Sequence, residues 1–218
     1  MGLAITTLDE KSMSQFWYIH DENPQARLIN QAVAILKQGG VIVYPTDSGY
    51  ALGCMIGEKN AMTRMARIRQ IENDTNFSLM CRDLSELANF ARVDNQAYRL
   101  LKSCMPGPYT FIFKATKEVP RRLQCDKKRT IGIRVPNNVI ALALLEALGE
   151  PMMTTSLVMP NEQFAESDPE HIRDILDNLV DGIIHGGYLP ENQTTVIDMS
   201  EDEMVILRHG AGDTSAFE

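Results

Sequence analysis

The sequence predicts an α/β protein, a single domain built on a twisted mixed sheet with helices. Three observations carry that prediction. Helical and strand patterns alternate through most of the chain, and short strands cluster late. A run of β-branched residues, Val41-Ile42-Val43, follows directly on a helical stripe closed by Gly39 and Gly40. The chain has 218 residues, 44% hydrophobic and 23% charged, which suits one large domain with a full core. No apolar run reaches the ~18 residues of a membrane span.

The elements follow in order. Asn23-Pro24 reads as a helix start, with Asn as N-cap and Pro at the first helical position. Ile29, Ala32, Val33 and Leu36 then recur at helical spacing, and Gly39 supplies the C-terminal cap. In the strand from Val41, Pro45 lacks an N–H and should end the ladder. Thr46, Asp47 and Ser48 would then form a polar loop at the strand's carboxyl end, the usual ligand position in open α/β sheets. A helix over Lys59–Ile68 carries Met62, Met65 and Ala66 inward and crowds Arg64, Arg67 and Arg69 toward its end. Arg67 and Arg69 converge on one ligand only if the helix ends between them, and the loop signal of residues 72–76 allows that.

Ser78 to Cys81 reads as a short strand, followed by helices near Leu84–Ala91 and Asn95–Ser103. Pro106-Gly107-Pro108 stops the second helix. Tyr109 to Lys114 alternates as a strand, with Tyr109, Phe111 and Phe113 on a core face. Thr130 to Val135 is a strand stopped by Pro136. Arg134 within it needs a partner, either an internal carboxylate or an anionic ligand. A helix spans Asn138 to Leu148, and a strand Met152 to Leu157 carries the hydroxyls Thr154, Thr155 and Ser156. A helix runs from Ser167-Asp168-Pro169 to about Leu179. Strands follow at Val180–His185, Thr194–Met199 and Met204–Arg208, and the tail after Gly210 should be loose.

Net charge is −8, which argues against a general nucleic-acid coat. Between Lys114 and Arg129, however, seven basic residues (with Arg121, Arg122, Lys127 and Lys128 among them) face two acidic ones. That segment is either a phosphate-attracting patch or a solvated loop balanced by its neighbours. Four widely spaced cysteines and four scattered histidines form no metal motif, so free thiols, no metal site and a cytoplasmic location are expected. The first residues lack the basic region and apolar core of a signal peptide. There is no Walker loop, no Gly-x-Gly-x-x-Gly and no nucleophile elbow.

Several segments together resemble the YrdC/YciO family of threonylcarbamoyl-AMP synthase relatives. They are Tyr44-Pro45-Thr46-Asp47, Arg67-Ile68-Arg69, Pro106-Gly107-Pro108-Tyr109-Thr110, Ile133-Arg134-Val135-Pro136, Thr154-Thr155-Ser156, Thr195-Val196-Ile197-Asp198 and Leu207-Arg208. They stand in the family's order, and the wording is most similar to the YciO branch. The resemblance implies a YrdC-like concave fold over 16–210, an N-terminal extension over 1–15 and a tail over 211–218. It implies synthesis of threonylcarbamoyl-AMP for tRNA modification from L-threonine, bicarbonate and ATP, with Mg²⁺ carried by ATP. By the same resemblance Arg67 and Arg69 are catalytic, and Thr46, Arg134, Thr155 and Ser156 bind substrate. Thr110, Thr195 and Arg208 hold the nucleotide. An alternative for the same family is binding of tRNA or double-stranded RNA without synthesis, and a third is an adenylating enzyme with another amine substrate. Two departures matter. The family's Lys-x-Arg is here Arg67-Ile68-Arg69, and its Ser-x-Asn is Ser156-Leu157-Val158. Arg does not replace Lys freely as a point charge, and a lost polar contact costs on the order of 1–3 kcal/mol, so weakened synthase activity is expected.

Overall fold

A computed structural model describes residues 13–71, 77–120, 124 and 129–217. Sixteen elements follow in chain order: β1 (Gln15–Tyr18), α1 (Ala26–Lys37), β2 (Ile42–Thr46), β3 (Gly49–Met55), α2 (Lys59–Arg69), β4 (Ser78–Met80), α3 (Leu84–Phe90), α4 (Asn95–Cys104), β5 (Tyr109–Lys114), β6 (Thr130–Arg134), α5 (Val139–Leu148), β7 (Met152–Ser156), α6 (Pro169–Leu176), β8 (Gly182–His185), β9 (Thr195–Asp198) and β10 (Val205–Arg208). All ten strands join one mixed sheet in the order β1-β8-β2-β3-β7-β4-β6-β5-β9-β10.

The apolar stripe of α1 packs with Ile140, Ala141 and Leu144 of α5 over Ile42, Tyr44, Ala51 and Met152 on one face of the sheet. Each such large side chain taken fully out of water contributes about 1.5–3 kcal/mol. The other face is covered by α2, α3, α4 and α6, which bury Met65, Leu87, Leu101 and Ile172 with Phe111 and Phe113. The aromatic face of β5 is therefore core, as its alternation predicts.

Register decides what the first face shows beyond α1 and α5. Gly53, Thr154, Ser78, Gly132, Ile112 and Asp198 are successive Cα partners across six strands. Partners in register share a face. The face that is apolar under the two helices thus turns to hydroxyls and glycine past β7.

Four expectations change. Asn23 does not cap α1: the helix opens at Ala26, where the Gln25 carbonyl accepts from the Leu28 and Ile29 N–H groups. Pro45 does not end the ladder, and the polar stretch after it is a hairpin turn into β3. Pro45 opposes Tyr50, whose N–H donates to Glu166 and whose carbonyl accepts from Leu157. Tyr50 so turns its backbone away from β2, and no N–H is needed from Pro45. Helix α6 stops at Leu176, leaving Leu179 exposed. The tail is anchored: Phe217 is buried, 5.7 Å from the Phe111 ring centroid, and the Tyr109 hydroxyl donates to the Asp213 carbonyl.

Candidate functional site

Where α1 and α5 give out, the open half of the sheet face forms a hollow of about 390 Å³. Its floor follows from period-two alternation. In β6, Ile131 and Ile133 go to the core, while Thr130, Gly132 and Arg134 face the hollow. In β5, Thr110 and Ile112 do the same opposite the core aromatics. Gly132 keeps the floor deep, because a Cβ there would stand 2.7 Å from Ser78 Oγ and 3.4 Å from Thr110 Cγ2. Thr154 is fixed from behind. Its hydroxyl donates to the Leu52 carbonyl at 3.1 Å, so the Tyr44 hydroxyl donates to Thr154 Oγ1 at 2.7 Å.

Among the described residues three arginines line this hollow, and no carboxylate does. Arg69, at the end of α2, donates to Thr155 Oγ1 at 2.8 Å and to the Ser156 carbonyl. Burial holds its guanidinium below the usual arginine range. Arg134 is 3% exposed and ion-paired with Asp47, whose other oxygen accepts from the Asn137 N–H at 3.1 Å. Of the two partners open to Arg134, the internal carboxylate is present, yet the guanidinium still borders the hollow. The buried Nε atoms of Arg69 and Arg134 have no hydrogen-bond partner among the described residues. Arg208 reaches in from β10, donating through Nε to the Thr194 carbonyl at 2.9 Å and through Nη2 to Thr194 Oγ1 at 2.7 Å. Its pKa is lowered by burial first and by the charge of Arg134 second. Desolvated cations bordering one hollow favour an anion between them.

The residues singled out from sequence divide. Arg69, Arg134, Thr155, Ser156, Thr110 and Arg208 line the hollow together. Arg67 does not join them. Helix α2 continues through Arg69 to a left-handed Gln70, so a residue two back faces away, and Arg67 is exposed. Thr46 is outside the lining and serves the β2–β3 turn, donating to the Gly49 carbonyl at 2.6 Å and accepting from the Ser48 N–H. Thr195 lies one residue off register. It faces away and ties down the tail, donating to the Gly212 carbonyl at 2.8 Å and accepting from the Gly210 N–H. Its neighbour Thr194 borders the hollow and meets Thr110 Oγ1 at 3.0 Å. Thr194, Ser78, Thr130 and Gly132 were not read from sequence. The alternation of Thr130-Ile131-Gly132-Ile133-Arg134 is the signal that finds two of them once Arg134 is placed. Val158, at the family's Asn position, also lines the hollow and brings no donor. The loop over 72–76, and Arg121, Arg122, Lys127 and Lys128 of the basic segment, lie outside the described residues. No group of three or more His, Cys, Asp or Glu suited to a metal occurs among the described residues. No described helix is long and apolar enough to cross a membrane.

Comparison with known proteins gives the family of the chain. The Sua5/YciO/YrdC family model, described as "Telomere recombination", matches residues 34–210. The uncharacterized protein YciO of Escherichia coli (strain K12) is 64% identical over 205 residues, covering 94% of this chain and all of that protein. The crystal structure of E. coli YciO superposes with a TM-score of 0.92. A threonylcarbamoyl-AMP synthase of Coxiella burnetii is 30% identical over 170 residues, 78% of this chain and 90% of that one. P. abyssi Sua5, complexed with L-threonine, matches with a TM-score of 0.82 at 25% identity, over 90% of this chain and 58% of that one. The ten-stranded sheet, the open hollow on its face and the match over most of the chain make this protein a member of the Sua5/YciO/YrdC family.

Proposed function

We propose that the hollow binds ATP, L-threonine and bicarbonate and joins them as threonylcarbamoyl-AMP, with pyrophosphate and water released. The observation that carries this reading is the convergence of Arg69, Arg134 and Arg208 over a floor of hydroxyls. Relatives at 30% identity bear the name of that activity, and a structural relative is complexed with L-threonine.

The chemistry asks mainly for like charges to be held together. Dehydration of bicarbonate gives CO₂, and the threonine amine adds to its carbon and loses a proton, forming a carbamate. A carbamate oxygen attacks the α-phosphorus, and the bond to the β-phosphate oxygen breaks with that oxygen keeping the electrons. Carbamate, carboxylate and triphosphate are all anionic, so fixed cations lower the barrier by position and charge without a protein nucleophile. Arg69 and Arg134, which border the hollow, set positive charge at the reacting end. Arg208, braced by Thr194, takes the nucleotide side, and Thr110, Thr155 and Ser156 offer hydroxyls. Mg²⁺ enters with ATP. Arg67 has no assigned contact, and Val158 supplies none, so turnover is slow compared with relatives that carry Asn there.

The alternative reading, RNA bound on the same basic concave face without synthesis, would show as binding that weakens steeply with salt and no pyrophosphate release. Pyrophosphate release by the purified protein tests the proposal, with ATP, bicarbonate and each candidate amino acid supplied in turn. Release that needs both L-threonine and bicarbonate is expected. Release with a different amine changes the substrate, and no release under any combination removes the activity.

A further inference from the structure

At the edge of the sheet farthest from the arginines, and on its opposite face, four rings meet in partly open space. Tyr18 is 59% exposed and Tyr188 71% exposed. His185 stands between them, with ring centroids 4.7 Å from Tyr18 and 6.3 Å from Tyr188, and Phe16 closes the group 5.2 Å from Tyr18. Two largely exposed tyrosines gathered on one histidine make an exposed aromatic patch of the kind that marks interaction sites.

Helix α6 runs along β1 and sets the charge. Glu170 accepts from the Tyr18 hydroxyl at 2.9 Å and lies 3.7 Å from His185 Nε2. Asp177 accepts from the Ser14 hydroxyl at 2.5 Å. His185 Nδ1 accepts from the Gly187 N–H, which leaves the proton of the neutral ring on Nε2, toward Glu170. The segment from Glu162 to Glu191 holds eight carboxylates and one basic residue, Arg173; Asp181 among them is paired with Arg64, while Glu170 and Asp177 stand at the patch itself. The Arg173 guanidinium lies over the Phe16 ring, 4.5 Å from its centroid. The patch thus already holds one cation on an aromatic face, and the two most exposed rings beside it hold none of the described arginines or lysines in that manner. Strand β1 also has a free outer edge among the described residues, since it pairs with β8 alone.

We propose that this patch is a docking site for a Lys/Arg-rich polypeptide segment of a partner protein. An incoming guanidinium or ammonium stacks on Tyr18 and Tyr188, as Arg173 does on Phe16, and Glu170 neutralises it. The segment's backbone lies along the free edge of β1. The surrounding carboxylates exclude nucleic acid and favour basic sequence. The site is separate from the arginine hollow, so its test is independent of the activity proposed there.

The test is fluorescence anisotropy with a labelled decapeptide of alternating Arg and Val, beside the matching Glu-Val peptide and a single-stranded RNA of similar length. The Arg-Val peptide should bind saturably, and binding should weaken with salt. The Tyr18→Ala/Tyr188→Ala double variant should lose at least tenfold in affinity, and Glu170→Gln about threefold. Tyr188→Ala alone is safe for folding at its exposure and should lose several-fold, with pyrophosphate release unchanged. Absence of Arg-Val binding, equal binding by the variants, equal binding of the Glu-Val peptide, or preference for the RNA would each overturn the proposal.

Discussion

One face of the sheet has two halves of opposite chemistry that share strands β7 and β4. Under α1 and α5 it is apolar and closed, with Ile42, Tyr44 and Met152 each 0% exposed. Past β7 it is open and polar, and the change happens within single strands. β7 reads Met152, Thr154, Ser156 along this face, and β4 reads Met80, then Ser78. The hollow is therefore built by withholding both the covering helix and the apolar side chains that would need one. The closed half supplies stability, and it braces the open half through the Tyr44–Thr154 hydrogen bond. Arg134 belongs to both, with one end in a buried ion pair and the other at the hollow.

That division can be broken most sharply at Arg134. Arg134→Ala leaves Asp47 buried without its cation and should cost about 3–5 kcal/mol in chemical denaturation. The Asp47→Asn/Arg134→Met double variant should regain at least half of that loss. If the single variant is as stable as the parent, the pair is not structural. Leu144→Ala, wholly inside the closed half, should cost about 2–5 kcal/mol while ATP affinity by calorimetry stays unchanged. A parallel fall in affinity would show that the halves are not separable. Gly132→Ala, on the open floor, should do the reverse. It should cost only about 1–3 kcal/mol from crowding Ser78 and should weaken ATP binding by a larger factor than any closed-half variant.

The smallest effect is at high pH. Burial pushes the Tyr44 hydroxyl up to about 12, against about 10 in the unfolded chain. The fold favours the neutral hydroxyl, so this contribution is complete below about pH 10 and is lost as pH rises toward 12. The slope is at most about 1.4 kcal/mol per pH unit for one group. Tyr44→Phe should have a shallower loss of stability between about pH 9 and about pH 11 in denaturant titrations. Some slope remains, because Tyr50 and Cys54 are also raised by burial. An identical alkaline limb would mean that Tyr44 does not carry it.

Most elements were legible because their patterns are local. The stripe of α1, the alternation of β5 and the helix from Asn138 to Leu148 all lie where local pattern puts them. What escaped depends on neighbours. Strand β3 is Gly-Tyr-Ala-Leu-Gly-Cys-Met, a weak strand sequence that is held by partners on both sides. Pro45 is tolerated because Tyr50 turns its backbone elsewhere. In the site, the arginines drew attention as isolated charges, but their direction depended on register. Arg67 and Arg69 separate because α2 does not fray, and Thr194 replaces Thr195 because a one-residue shift reverses every side chain of a strand. No local pattern could show that Asp47 meets Arg134 from 87 positions away.

The most direct measurement is calorimetric titration of MgATP into the wild-type protein and Arg69→Ala. Arg69 borders the open half and makes no ion pair among the described residues, so its loss should cost less stability than that of Arg134, about 1–3 kcal/mol for its hydrogen bonds to Thr155 and Ser156. Saturable binding to the wild type, weakened at least tenfold in the variant, is the predicted result. Equal affinity in the two proteins, or no binding to either, would contradict the assignment of the arginine hollow to a triphosphate.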